Sequence, residues 1–182
     1  MTFGESVKTC FRKYFVFRGR ASRSEFWWFQ LFVLVVGIAL SFIDSALFGQ
    51  TTNRILDDDL FERGDISASF YSIFPGRMFE DIFDLATLMP TLTVSARRLH
   101  DIGKTGWWQV IPFAGLLLMA PGFYMVIVGE PSGPATFSLA IGALVALVLF
   151  IMLIVWYCRD SERGANRFGE SSKYRSVGDT FS

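Results

Sequence analysis

The chain has 182 residues, of which 52% are hydrophobic, 16% aromatic and only 19% charged; twenty are Phe. A soluble domain usually carries about 25% charge, and here the apolar excess is gathered into blocks long enough to cross a bilayer, which excludes an ordinary soluble enzyme. The net charge is zero, so no global basic field points to nucleic acid as a partner.

Taken in chain order, residues 1–25 read as an interfacial segment. Phe3, Val7, Phe11 and Tyr14 fall on one helical stripe, with Lys8 and Arg12 on another. That pattern predicts a helix within residues 3–17 lying under a membrane. The basic stretch and the apolar run after it are too long for a cleaved signal peptide, and no small-x-small site follows cleanly. Cys10 and Cys158 fall on the same side as the basic residues, so free thiols are expected; lipidation of Cys10 is the alternative.

Residues 26–43 form the first span, with Gln30 as the only strongly polar side chain. Their eighteen residues approach the ~20 that cover about 30 Å of hydrocarbon. Residues 44–81 are expected as a long external loop. It carries Asp57, Asp58, Asp59, Glu62 and Asp65, a solvated acidic run without the D-x-D-x-D-G spacing of a calcium loop. Ile66, Phe70, Ile73 and Phe74 fit a short helix on the outer surface.

Residues 82–99 are the weakest span, interrupted by Asp84, Pro90, three Thr and Ser95. Charge counting decides in their favour. If they cross, 14 of the 17 basic residues lie on one side, in the N-terminal segment, the 97–106 region and the tail. The positive-inside rule makes that side cytoplasmic. The 44–81 loop holds only Arg54, Arg63 and Arg77, against eight acids. Along this span Asp84, Thr87, Thr91, Ser95 and Arg98 recur every three or four residues, forming one polar face. In lipid such a face must turn inward, either for interhelical hydrogen bonding or as one wall of a path for a small solute or ion.

Residues 100–106 are a cytoplasmic turn. Its Gly103-Lys104-Thr105 looks like the end of a phosphate-binding loop. However, Arg98 stands where the first glycine is required, and a membrane helix precedes it instead of a strand. Residues 107–128 form the third span, uncharged throughout, with Pro112 and Pro121 predicting a bend. Residues 129–136 are a short external turn. Residues 137–158 form the fourth span, with 13 Leu, Ile, Val or Phe, each contributing about −0.3 to −0.6 kcal/mol to insertion. Residues 159–182 are a basic tail. Gly37, Ser41 and Ser45 in the first span, and Ser138, Gly142 and Ala146 in the fourth, mark packing stripes. Trp27, Trp28, Trp107, Trp108 and Trp156 all fall at the cytoplasmic interface, the depth that indoles favour. The expected fold is all-α: one membrane domain over residues 1–182, a compact four-helix bundle with both termini inside.

One histidine excludes a multi-histidine metal cage, and no G-x-S-x-G elbow is present. No catalytic residue, metal or cofactor is expected. Three polar-aromatic motifs share the cytoplasmic face, at residues 17–27, 97–108 and 164–169. Their G-R-x-S-R-x-E-F-W, R-R-L-H-D-I-G-x-x-G-W-W and N-R-F-G patterns together resemble the domain of unknown function 805 family of bacterial inner-membrane proteins. The resemblance covers nearly the whole chain. It implies an integral inner-membrane location and brings no established reaction, substrate or partner.

Sidedness lets the three motifs meet. Arg20, Arg23, Arg97, Arg98 and Arg167 would form a basic rim containing the acids Glu25 and Asp101, with His100 and Asn166 beside them. One reading is a salt-bridged clasp fixing the helix ends. A second is a site for anionic lipid headgroups, drawn by the surplus of Arg over acid and weakened by Arg98→Ala or Arg167→Ala. A third, a catalytic His100–Asp101 arrangement, lacks an evident nucleophile. The preferred function is non-enzymatic: a membrane protein whose clasp binds anionic lipid or a protein partner, with a second copy also open. A small-solute or ion transporter using the polar face of the second span, and a membrane enzyme acting on a phosphorylated lipid, are the alternatives.

Overall fold

The structure is a computed structural model describing residues 1–55, 77–128, 133–171 and 173. The acidic run at 57–65 and the short helix at 66–74 expected from sequence lie outside the described residues. Among these, five α-helices and one 3-10 turn follow in order: α1 (Phe3–Arg12), α2 (Arg23–Ile55), α3 (Met78–Asp101), the 3-10 turn (Gly106–Val110), α4 (Phe113–Ile127) and α5 (Gly133–Cys158).

Helix α1 stops at Arg12, well short of residue 17. Its stripe does not simply face outward. Phe11 packs edge-on to Phe29 at 5.8 Å and to Phe32 at 6.0 Å, and Phe3 meets Trp28 at 5.9 Å, all on α2. The buried face of α1 is Ser6, Thr9 and Cys10.

Helix α2 runs twelve residues past the expected boundary at 43, to Ile55. At 1.5 Å per residue its 33 residues reach about 50 Å. Asp44 ends the apolar run but does not end the helix. Its side chain is buried and accepts from the backbone N–H groups of Phe79 (3.2 Å) and Glu80 (2.9 Å). These first-turn donors of α3 have no helical partner, and a carboxylate suits the positive end of the helix. At the opposite end the Ala21 N–H donates to the Arg97 carbonyl at 3.0 Å. Helix α3 therefore runs antiparallel along α2 for nearly its whole length.

Pro90 lies inside α3. Lacking an N–H, it leaves the Ala86 carbonyl without its i→i−4 donor. The Tyr14 hydroxyl donates to that oxygen at 2.9 Å. The polar face expected on this helix is discontinuous. Thr87 and Ser95 are buried, Thr91 is half-buried, and Asp84 is exposed. The Thr87 hydroxyl turns back onto its own helix, donating to the Phe83 carbonyl at 2.8 Å.

The third apolar block is not one regular helix. It opens with the 3-10 turn, and α4 begins after Pro112, which cannot donate to the preceding turn. Helices α4 and α5 pack on each other through small residues. A side-chain carbon at Gly142 would stand 2.7 Å from the Gly115 carbonyl oxygen, so the Ser138, Gly142 and Ala146 stripe is an interface, as expected. The Gly37 stripe is not. Among the described residues nothing outside its own helix comes within 4 Å of a side-chain carbon placed at Gly37, and Ser41 and Ser45 are exposed, because α3 takes the face of α2 that carries Phe32 and Asp44. Helix α5 starts at Gly133, so residues 133–136 are helical and not part of a turn.

Among the described residues the helices do not close into a four-helix bundle. Helices α4 and α5 form one hairpin; α1, α2 and α3 form a second unit. The two meet where Phe26 stacks on Tyr157 at 4.5 Å and Arg98 reaches the end of α5. Three stretches, Arg23–Phe48, Gly106–Val126 and Gly133–Cys158, are long and apolar enough to cross a bilayer. Their outer faces carry exposed Phe42, Leu117 and Phe137, the composition that lipid solvates and water does not. Helix α3, with Glu80, Asp81, Asp84, Arg97 and Arg98, is not among them.

Candidate functional site

The three motifs converge where the helix ends meet. The last turn of α3 supplies Arg97, Arg98 and Asp101, the first turn of α2 supplies Glu25, and the segment between α1 and α2 supplies Arg20. The chain after α5 then folds across them.

Asp101 is the hub. Its Oδ1 accepts from Arg20 Nε at 2.9 Å and its Oδ2 from Arg98 Nη1 at 2.5 Å. These three side chains are at most 1% exposed. The other nitrogens of Arg20 donate to backbone carbonyls: Asp101 at 3.2 Å, Glu162 at 2.6 Å and Gly164 at 2.7 Å. Arg98 reaches the carbonyls of Tyr157 (3.1 Å) and Arg159. Carbonyls at a helix C-terminus have no helical donor and carry the negative end of the helix dipole, so α5 is tied to α3 by one guanidinium. Desolvated charges are tolerated only when paired and hydrogen-bonded, and this geometry meets both conditions.

A second pair lies beside the first. Arg97 Nη1 donates to Glu25 Oε1 at 2.6 Å, and both side chains are buried. Arg97 Nε and Nη2 are buried with no partner among the described residues. Cys10 adjoins this pair. Burial, aided by Glu25 and opposed by Arg97, pushes its thiol up to about 12. A neutral, fully buried thiol is a poor nucleophile, which argues against its lipidation.

His100 faces away from Asp101. Its Nδ1 lies 3.2 Å from the Gly19 carbonyl oxygen; a carbonyl only accepts, so Nδ1 carries the proton. Its ring stacks on Phe168 at 3.9 Å and 6°. Burial holds its pKa below the ordinary 6.5, and Arg167 acts in the same direction against the Gly19 bond. Because both Asp101 oxygens are taken by arginine, the two residues form no catalytic dyad. Asn166 Nδ2 donates to the His100 carbonyl at 3.0 Å and to Glu162 Oε2 at 2.9 Å. Arg167 donates to the Gly103 carbonyl at 3.2 Å. Gly103 has φ +74°, the left-handed region that favours glycine, and a side-chain carbon there would also displace Glu162 Oε2, 3.0 Å away.

Arg23 stands apart from the clasp. It pairs with Asp160 at 3.1 Å, with both side chains about half exposed. The structure therefore brings Arg20, Glu25, Arg97, Arg98 and Asp101 into one buried layer, sets His100, Asn166 and Arg167 along its edge, and leaves Arg23 outside. Asp84, Thr87, Thr91 and Ser95 make no hydrogen bond to it among the described residues. Arg98, expected to reach lipid headgroups, is fully buried, with each guanidinium nitrogen already bonded to Asp101 or to a backbone carbonyl. Counting arginines against acids missed this, because backbone carbonyls absorb the surplus. Asp160 and Tyr157 also escaped the sequence reading; the basic run of the tail was the available signal.

Comparison with known proteins fits this geometry. The family described as "Protein of unknown function (DUF805)" matches residues 14–170, which include every clasp residue. The chain is similar to the inner membrane protein YhaI of Escherichia coli (strain K12), with 23% identity over 165 residues, 91% of this chain and 92% of that one. It is also similar to the inner membrane protein YhaH of the same organism, with 28% identity over 111 residues, 59% of this chain and 74% of the other. The uncharacterized protein YiiR is 26% identical over 161 residues, 87% of each chain. No solved structure matches the chain. With its apolar helices and inner-membrane relatives, it is a membrane protein and belongs to the DUF805 family.

Proposed function

We propose that this is a non-enzymatic protein of the bacterial inner membrane with four spans and both termini in the cytoplasm. Its buried clasp locks the helix ends, and an exposed basic and aromatic rim around the clasp holds anionic phospholipid headgroups. The observation that carries the reading is the sorting of the cations into two sets. Arg20, Arg97 and Arg98 are buried against acids and carbonyls. Lys8, Arg12, Arg18 and Arg167 are exposed. Lys104, half-buried, lies over the Trp156 ring at 4.1 Å and the Trp108 ring at 5.4 Å. Cations near an anionic leaflet gain about 1 kcal/mol each, and tryptophan seats them at headgroup depth.

The antiparallel path of α3 supports the fourth span. From Glu25 to Asp44, α2 rises about 28 Å, close to the ~30 Å of hydrocarbon, and α3 accompanies it between those levels. The solute-path and enzyme alternatives gain no support from the exposed Asp84 or from an Asp101 saturated by arginine.

Reporter fusions after residues 20, 103 and 175 are expected to read as cytoplasmic, and one near residue 60 as external. An external reading at 103 removes the fourth span. Native mass spectrometry of the full chain in mixed lipid should retain anionic over zwitterionic phospholipid. Equal retention refutes the headgroup reading and leaves a purely structural clasp.

A further inference from the structure

A cleft of about 560 Å³ opens beside the clasp, between α3, the 3-10 turn and the chain after α5. Its walls are mostly apolar: Phe17, Trp107, Val110 and Phe168. Three polar side chains, His100, Thr105 and Gln109, also line it. Gln109 Oε1 is buried without a hydrogen-bond partner among the described residues. His100 holds its proton on Nδ1, toward Gly19, so its Nε2 is a bare acceptor. That nitrogen is 3.6 Å from where a side-chain carbon on Gly106 would stand, and Gly106 is part of the same wall. Among the described residues neither acceptor receives a hydrogen bond, and leaving the buried Gln109 oxygen unpaired costs free energy.

The surrounding charge selects the kind of donor. Arg167 lies 4.7 Å from the centre of the Phe168 ring, and Lys104 precedes Thr105, another lining residue. An ammonium donor would be repelled here. Neutral hydroxyl donors attached to an anion satisfy both the acceptors and the cations.

We propose that the cleft binds the headgroup of a glycerol-bearing acidic phospholipid. Its hydroxyls donate to His100 Nε2 and Gln109 Oε1, its phosphodiester faces Arg167 and Lys104, and its upper acyl chain lies against Trp107 and Val110. This rests on the anionic-lipid reading above and names the lipid.

The test uses the full chain and three probe lipids with identical acyl chains: phosphatidylglycerol, phosphatidylmethanol and phosphatidylcholine. The first two carry the same single negative charge on a phosphodiester, and only the first adds hydroxyl donors. Retention is read by native mass spectrometry. The expected result is phosphatidylglycerol retained roughly tenfold over phosphatidylmethanol, the scale of one or two net hydrogen bonds. Gln109→Leu, which removes the partnerless oxygen at similar volume, should erase most of that ratio. His100→Phe, which keeps an aromatic ring against Phe168, should do the same. Equal retention of both anionic lipids above phosphatidylcholine overturns the cleft and spares the anionic reading. No preference for either over phosphatidylcholine overturns both. A wild-type ratio in Gln109→Leu also overturns the cleft.

Discussion

Arg20 Nε and Asp101 Oδ1 lie 2.9 Å apart, joining residues 81 positions apart in the chain inside a layer with almost no solvent access. The same carboxylate holds Arg98, and Arg98 holds the end of α5. One acid therefore links the segment before α2, the last turn of α3 and the C-terminus of α5. The α4–α5 hairpin also meets the rest of the molecule at the Phe26–Tyr157 contact and through the 3-10 turn packed on α3, so this link is one of three that set how the two units sit together.

Asp101→Ala should lower stability by about 3–5 kcal/mol, because it leaves two desolvated guanidinium groups facing each other. Asp160→Ala, which removes an exposed partner of Arg23 and Lys173, should leave stability nearly unchanged, because exposed ion pairs are screened by solvent. Denaturant unfolding in a fixed lipid–detergent mixture measures both. Equal costs would show that the Asp101 layer is not desolvated in the membrane.

The Tyr14 hydroxyl occupies a position created by Pro90, and a double-mutant cycle isolates that relationship. Tyr14→Phe should cost about 0.5–1.5 kcal/mol in the natural sequence. Pro90→Ala restores an N–H four residues after Ala86, so the carbonyl regains its helical donor. In that background Tyr14→Phe should cost almost nothing. A cost unchanged by Pro90→Ala would mean that Tyr14 acts through packing alone.

Acidification should loosen the His100 edge of the clasp. The folded-state pKa of His100 is lowered from 6.5, chiefly by burial, so the unfolded chain takes up the proton first. Stability is therefore complete above about pH 6.5 and declines as pH falls toward the lowered folded value. Asp160 does not titrate in this window, since its hydrogen bonds to Lys173 and the Ser161 N–H hold it below the ordinary 3.8. The unfolding midpoint should be lower at about pH 5.5 than at about pH 7.5, and His100→Phe should flatten the difference. A midpoint that rises on acidification contradicts the assignment.

The apolar blocks and the small-residue stripe of the last helix were legible in the sequence, because twenty apolar residues and a glycine between alanine and serine leave few alternatives. The helix ends were less so. Asp44 reads as the start of a loop, yet it stays in α2, where its carboxylate accepts from first-turn N–H groups of α3. The three motifs announced a layer of opposite charges, but pairing within it depends on backbone carbonyls, which a residue count does not include. Which helix faces mate was readable only for the last helix. Gly37 and Gly142 look alike in sequence, and only Gly142 meets a neighbour.

The most direct measurement is the ratio of anionic to zwitterionic phospholipid retained by folded protein, compared across three chains. These are the natural sequence, the rim variant Arg18→Ala/Lys104→Ala/Arg167→Ala, and Arg98→Ala. A structural clasp with a separate lipid-binding rim predicts that the rim variant falls toward unity while the folded fraction of Arg98→Ala keeps the natural ratio. Collapse of the ratio in Arg98→Ala, with the rim variant unchanged, would place the headgroup inside the clasp and contradict the division of the cations.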